Sequence, residues 1–321
     1  MRKLFIACAA ATALVTPLAT PAFAQTVTVA VTAIVEHPAL DACRDGVKDA
    51  LEAAGYKTGE NLNFVYESAQ GNPATATQIA RKFVGDRPDV IVPISTPSAQ
   101  AVASATRDIP IVFSAVTDPV GAQLVESMDK PGANVTGISD FSPIAEQLAL
   151  IKEIRPDVKT LGVIYNAGEA NSVSTVAALK KLGAEAGIEI VESTATKTSE
   201  VQQATRALVG KADALYVPTD NTIVSAFEAA VKVAVENKLP LYAADTDSVE
   251  RGALAAIGFN YYDVGKQTGE VVVAILKGTA PADIPVTVAK GTNLMVNVKT
   301  AAAIGLNIPA TVLDRASKVV E

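Results

Sequence analysis

Apolar and polar positions along this chain follow two alternating patterns, one of strand type and one of helix type. VTVAVTAIV at 27–35 is an apolar, β-branched run that predicts a strand. Behind it, Leu40, Cys43, Val47, Ala50, Leu51 and Ala54 recur at helical spacing, predicting a helix that Gly55 ends. NLNFVYE at 61–67 predicts a second strand. Asn72-Pro73 sets a capping residue before a proline in the first helical turn, opening a helix to about Val84. DVIVPI is the third strand, Pro97 to Thr106 the next helix, PIVFSAV the fourth strand and NVTGIS (134–139) the fifth. The series restarts with TLGVIYN (160–166), a helix from about Ser172 to Ala186 stopped by Gly187, and the strand IEIVEST. Ser199 with Gln202 three residues on has the form of a capping box, predicting a helix to Val209. DALYVP, a helix through Phe227 to Glu236, PLYAAD and ALAAIGFN (253–260) follow, then a helix over Asp263–Lys277.

Strands alternating with helices predict parallel sheets covered on both faces, and this chain makes the pattern twice. DVIVPISTPS (89–98) is echoed by DALYVPTDNT (213–222), and IPIVFSAVTD (109–118) by LPLYAADTD (239–247). The 124 positions between Asp89 and Asp213 are too many for a solenoid repeat. The simplest architecture is α/β, with two doubly wound parallel-sheet lobes joined by a hinge. Crossings between lobes are expected near 139–141, 260–263 and 280–285. The expected division is a leader at 1–24, lobe one at 25–139 plus about 262–281, and lobe two at 140–261 plus about 282–321.

Arg2 and Lys3, the apolar stretch Leu4 to Val15, and Ala22-Phe23-Ala24 have the form of a cleaved signal peptide, with cleavage expected after Ala24. The apolar run is too short for a ~30 Å hydrocarbon core, and Pro17 and Pro21 follow it, which disfavours a membrane anchor. Cleavage would leave 297 of 321 residues, enough for one large or two ordinary domains. Losing Arg2 and Lys3 would leave 25 basic against 34 acidic residues, a net charge of −9. Without clustered Lys and Arg, no nucleic-acid partner is expected. Cys43 would be the sole cysteine after cleavage, so no internal disulfide can form; its place on the apolar helix face suits a buried small hydrophobe. One His and one remaining Cys make a transition-metal site improbable.

In open parallel sheets, ligands sit beyond the carboxyl ends of the strands, where helices begin and present free N–H groups. Reading just past each strand gives Glu36-His37, Ser95-Thr96-Pro97-Ser98 and Thr117-Asp118 in lobe one. Lobe two gives Asn166 to Ser172, including Glu169 and Asn171, then Thr219-Asp220-Asn221-Thr222 and Asp245-Thr246-Asp247. Ser95, Thr96 and Ser98 at a helix start suit a carboxylate, whereas Asp118, Glu169, Asp220 and Asp245 suit an ammonium. Together they fit a zwitterion. Each of these residue types is equally an ordinary helix cap, so the signal is the gathering of six polar corners around one cleft. His37 could donate to a ligand or simply cap its helix. Phe141, Tyr165, Phe259, Tyr261 and Tyr262 stand near the joints as possible cleft walls or as packing. The chain has no GxGxxG, Walker lysine loop, GxSxG or CxxC, and no enzymatic activity or cofactor is expected.

At these corners the sequence resembles a known family. EHPALDACRDGVKDALEAAGY (36–56), RPDVIVPISTPSAQA (87–101), PIVFSAVTDPVGAQLV (110–125), LGVIYNAGEANSV, ALYVPTDNTIVSA and GALAAIGFNYYDVGKQTG are similar to the ABC-transporter substrate-binding proteins that include tryptophan/tyrosine-type binding proteins. The resemblance implies a type I periplasmic-binding-protein fold, a hinge, and a small carboxylate-bearing ligand, an aromatic amino acid foremost, closed between the lobes. It carries over as ligand residues Glu36, His37, Ser95, Thr96, Ser98, Thr117 and Asp118 from lobe one. From lobe two it carries over Asn166, Glu169, Asn171, Ser172, Thr219, Asp220 and Asp245. It also implies an ABC permease in the inner membrane as partner to a monomer. Gln25, where a lipidated Cys would anchor a Gram-positive member, points to free diffusion in a periplasm. A sensor docking on a membrane receptor, or an enzyme on the same scaffold, stays open as an alternative.

Overall fold

The computed structural model describes residues 26–321, so the expected leader and its cleavage point lie outside the described residues. The first series comprises β1 (Val27–Ala33), α1 (Pro38–Ala53), β2 (Leu62–Ser68), α2 (Pro73–Asp86), β3 (Val90–Ile94), α3 (Thr96–Ala105), β4 (Ile111–Phe113) and β5 (Val135–Ser139). The second comprises α4 (Ile144–Ile154), β6 (Thr160–Tyr165), α5 (Ala170–Ala186), β7 (Glu189–Thr194), α6 (Val201–Arg206), β8 (Ala214–Val217), α7 (Asn221–Ser225), α8 (Phe227–Glu236), β9 (Leu241–Ala243), α9 (Asp247–Glu250) and β10 (Ala255–Phe259). The chain closes with α10 (Tyr261–Leu276), β11 (Thr287–Val288), β12 (Thr292–Asn297), α11 (Val298–Ile304), α12 (Ala310–Leu313) and β13 (Lys318–Val320).

Two sheets result, ordered β11-β5-β4-β3-β1-β2 and β13-β12-β10-β9-β8-β6-β7. All pairings are parallel except that of β10 with β12. Every residue of β3 and β8 is buried, as expected for central strands covered by helices on both faces. In register, Ala33 lies opposite Ile94 and Val217 opposite Ala243. Neighbouring strands therefore end together and deliver their following residues to one edge of each sheet. Each lobe is α/β, with helical layers on both sides of its sheet.

The helix after β10 belongs to the first sheet's core. Tyr261, Val264 and Val272 of α10 pack with Cys43, Val47 and Leu51 of α1. Glycines permit the close approach: a Cβ on Gly265 would lie 2.0 Å from the Cys43 carbonyl oxygen, and one on Gly46 would lie 2.1 Å from that of Tyr262.

Two local expectations need correction. The third crossing is not at 280–285. Thr136 Oγ1 donates to the Ile284 carbonyl (2.7 Å), Val286 N to that of Met128 (2.8 Å), and β11 pairs with β5. This short strand covers the edge of the first sheet, and the chain passes to the second sheet only between β11 and β12. Ser199 does not cap a helix either. A 3-10 turn over Thr198–Glu200 precedes α6, and the Glu200 carboxylate accepts from Thr196 N (2.8 Å) and Oγ1 (3.1 Å).

Candidate functional site

The strand ends of the two sheets face each other across a tight cavity lined from both sides, the place where open parallel sheets hold their ligands. Lobe one contributes His37, Ala39 and Leu40 at the start of α1, Ser95 and Thr96 at the start of α3, and Ala115 and Thr117 beyond β4. Lobe two contributes Asn171 of α5, Thr219, Asp220, Asn221 and Val224 around α7, and Asp245 beyond β9. Asp140 and Tyr261 close the hinge side, one at each of the first two crossings.

The lobe-one half is rich in uncommitted polar groups. Ser95 Oγ, Thr96 Oγ1 and His37 Nδ1 are buried without a hydrogen-bond partner. A buried polar atom left unpaired is destabilising by about 1–3 kcal/mol, so three on one wall mark a surface built for a further molecule. Ser95 has φ 78 and ψ 157, a backbone region that is essentially glycine's own. Ala115, on the same wall, has φ 53. His37 is followed by Pro38, so the first free N–H groups of α1 are those of Ala39 and Leu40, both at the cavity. Burial, aided by the charge of Arg251, lowers the His37 pKa to about 3, so the imidazole is neutral.

The other half and the hinge side are acidic. Asp140 accepts from Thr117 Oγ1 (2.9 Å) and Tyr261 OH (2.6 Å), one donor per oxygen. Asp245 accepts from Ser248 N (2.8 Å) and Oγ (2.7 Å). Asp220 accepts from Asn166 N, Ser172 Oγ and Ile223 N at 2.6, 2.6 and 2.8 Å. All three carboxyls are almost wholly buried, and burial raises each pKa, with Glu169 adding to the rise at Asp220 and Asp245 to that at Asp140. Among the described residues, no Lys or Arg lines the cavity. Each carboxylate oxygen has about two acceptor sites, so Asp140 and Asp245 each keep an acceptor free on both oxygens.

The structure separates the sequence candidates. His37, Ser95, Thr96, Thr117, Asn171, Thr219, Asp220 and Asp245 meet at the cavity; Glu36, Ser98, Asp118, Asn166, Glu169 and Ser172 are not on its wall. Glu36 is exposed and accepts from Gln70 Nε2 (3.0 Å). Glu169 is spent inside lobe two: it accepts from the backbone N of Asn221 and of Thr222 (both 3.0 Å), Asn221 Nδ2 (2.6 Å) and Thr222 Oγ1 (2.8 Å). It fixes the first turn of α7 and has no capacity left for an ammonium. Asn166 and Ser172 bind Asp220 in the same network, and Ser98 is buried within α3. Asp118 Oδ2 accepts from Ser174 Oγ of the opposite lobe (3.0 Å), and Thr117 Oγ1 lies 3.3 Å from Thr219 Oγ1. Asp118 thus clasps the lobes together outside the cavity.

Among the aromatics near the joints, Tyr261 alone lines the cavity. Tyr165 binds Glu192, Tyr262 binds Asp49, and Phe141 and Phe259 join the cores. Sequence reasoning missed Asp140, although it follows NVTGIS at an expected crossing. It also missed the small apolar wall of Ala39, Leu40, Ala115 and Val224, which carries no polar signal.

A cavity closed between two α/β lobes, with donors on one side and acceptors on the other, defines a solute-binding protein. A model of the ABC transporter substrate binding protein family matches residues 28–320, and the chain belongs to that family. The tyrosine-binding protein of Clostridioides difficile (strain R20291) is 46% identical over 278 residues, 87% of this chain and 81% of that relative. A crystal structure of an ABC domain from Streptococcus pneumoniae in complex with L-Trp is 37% identical, covers 92% of this chain and 100% of its own, and superposes with a TM-score of 0.89. The ligand-free, open structure of a substrate binding protein with adhesive properties from Clostridium difficile is 45% identical over 92% of this chain and 99% of its own, with a TM-score of 0.71. The architecture is thus that of periplasmic binding proteins.

Proposed function

We propose that this chain is the periplasmic solute receptor of an ABC importer and that it binds an aromatic L-amino acid between its lobes. The observation that carries this reading is the division of the cavity into two chemistries. Ser95 and Thr96, with the N–H groups that open α3, receive the ligand carboxylate. Asp140 and Asp245 receive its ammonium, with Asp220 beside them. Leu40, Ala115, Val224 and the Tyr261 ring give the side chain an apolar wall, where offset stacking on Tyr261 favours an aromatic ring. The relatives that bind tyrosine and L-Trp support the same class.

The ligand stabilises the closed form because only that form offers groups from both lobes. The lobes here stand closer to the L-Trp complex than to the open, ligand-free relative, despite the lower sequence identity of the former. A monomer exported by a cleaved leader and read in its closed shape by an inner-membrane permease completes the proposal; it requires no catalytic step. The test is thermal shift of ligand-free protein against a panel of metabolites. A ligand at 100 times its Kd adds about 2.7 kcal/mol. Shifts with L-tyrosine or L-tryptophan are expected, and a panel of amino acids that leaves the melting temperature unmoved would overturn the reading.

A further inference from the structure

Asp140 stands at the first crossing but is held by lobe one, whereas Asp245 is held by lobe two. Asp140 is tied through Thr117 and Tyr261 to the sheet and helices of lobe one. Asp245 is tied through both oxygens to Ser248 of α9 in lobe two, where Asp220 is also anchored. Closing the lobes therefore brings acids from both sides into one water-poor cavity. The same cavity carries the unpartnered His37 Nδ1 on one side and Asn171 Oδ1 on the other, both more than nine-tenths buried, so the acids stand in a built ligand site.

We infer that Asp140 and Asp245 form a charge gate: their mutual repulsion holds the empty receptor open, and a cationic centre on the ligand releases it. This rests on the binding reading above and goes beyond it, because it states why the empty protein does not close. Two like charges leaving water cost free energy that falls when a cation stands between them. A proton on either carboxyl has the same effect as the ligand, so acid substitutes for it. Burial in the closed cavity raises the pKa of both carboxyls, so closure takes up protons at them and is promoted as pH falls. The other ionisable groups acting on Asp140 are Tyr261 of α10 and Cys43 of α1. Those acting on Asp245 are Arg251, Tyr216 of β8, Tyr261 and Asp247; Asp220 and His37 line the same cavity, and burial there raises the pKa of the first and lowers that of the second, so their contributions to the pH dependence of closure oppose each other. Arg251 is the one cation among them, and it is engaged by Glu228 (2.7 Å).

Small-angle scattering of ligand-free protein reads lobe closure directly. Asp140→Asn and Asp245→Asn, tested separately so that one folding failure is not fatal, should each raise the closed-to-open ratio about tenfold at about pH 7.5. That is the factor equivalent to one pKa unit. The empty wild type should close progressively as pH falls to about 5, and the double variant should keep only the smaller response left by the opposing contributions of Asp220 and His37. Calorimetric titration with L-tyrosine and L-tryptophan runs alongside. If neither binds but the ratio still shifts, the ligand class is wrong and the gate stands. If either binds while the empty variants keep the wild-type ratio and pH response, the gate is refuted.

Discussion

Ser95→Gly should make this protein more stable and a worse receptor. Ser95 occupies a glycine-type backbone conformation, which costs about 1–3 kcal/mol. Its hydroxyl is 3% exposed as part of the residue and has no partner, a further cost of about 1–3 kcal/mol. Glycine removes both penalties and adds unfolded-chain entropy of about 1 kcal/mol. Taking about 2 kcal/mol for strain and about 1 kcal/mol for the hydroxyl, the empty protein gains about 2 kcal/mol. In a chain of this size that raises Tm by roughly 4 °C. The ligand loses one hydrogen bond to its carboxylate, about 1.5–3 kcal/mol, or roughly 10- to 150-fold in Kd. Scanning calorimetry of the empty protein and titration with L-tryptophan and L-tyrosine measure the two effects. Ser95→Ala keeps the strain and should weaken binding similarly with a smaller rise in Tm. A Ser95→Gly variant that melts at or below wild type, or binds as tightly, refutes the argument.

His37 is the chain's single histidine, so its proton resonances are unambiguous; they should keep the neutral form to about pH 4. Because its folded pKa lies below the unfolded value of 6.5, stability present above that pH is lost as pH falls toward about 3. His37→Asn should flatten that loss in acid melting curves, and a midpoint near 6.5 would contradict the burial argument. Gly265→Ala places a methyl against the Cys43 carbonyl and should cost about 3 kcal/mol in urea unfolding, whereas a neutral effect would mean the two helices separate easily. Glu169→Ala strips four donors at the start of α7 and should lower stability by about 3 kcal/mol; a stable variant with lost binding would return Glu169 to the ligand.

The two-lobe α/β plan was legible because central parallel strands are apolar on both faces and stand out against amphipathic helices. β3 and β8 are such strands, and the echo between them exposed the duplication. The third crossing was hidden because β11 is two exposed residues long and defined by its partner β5 rather than by its own pattern. At the site, strand ends identified Ser95, Thr96, Thr219 and Asp245, since the fold delivers those positions to the cleft. Which acid reaches the cavity with acceptors to spare was not legible, because it depends on the donors each one finds in the folded chain. Glu169 finds a helix start, Asp118 finds Ser174 on the other lobe, and Asp140 keeps acceptor capacity facing the cavity.

The seating of α10 on α1 also constrains the order in which the molecule can fold. Gly46 and Gly265 are 219 positions apart, and closing so long a loop costs about 5 kcal/mol of chain entropy. The strands from β6 to β10 form one continuous stretch and can pair without waiting for distant partners. Once folded, they shorten the effective span between α1 and α10 and bring the late helix back to the early one. The lobe begun first along the chain therefore cannot complete its core until the chain has passed through the other lobe and returned.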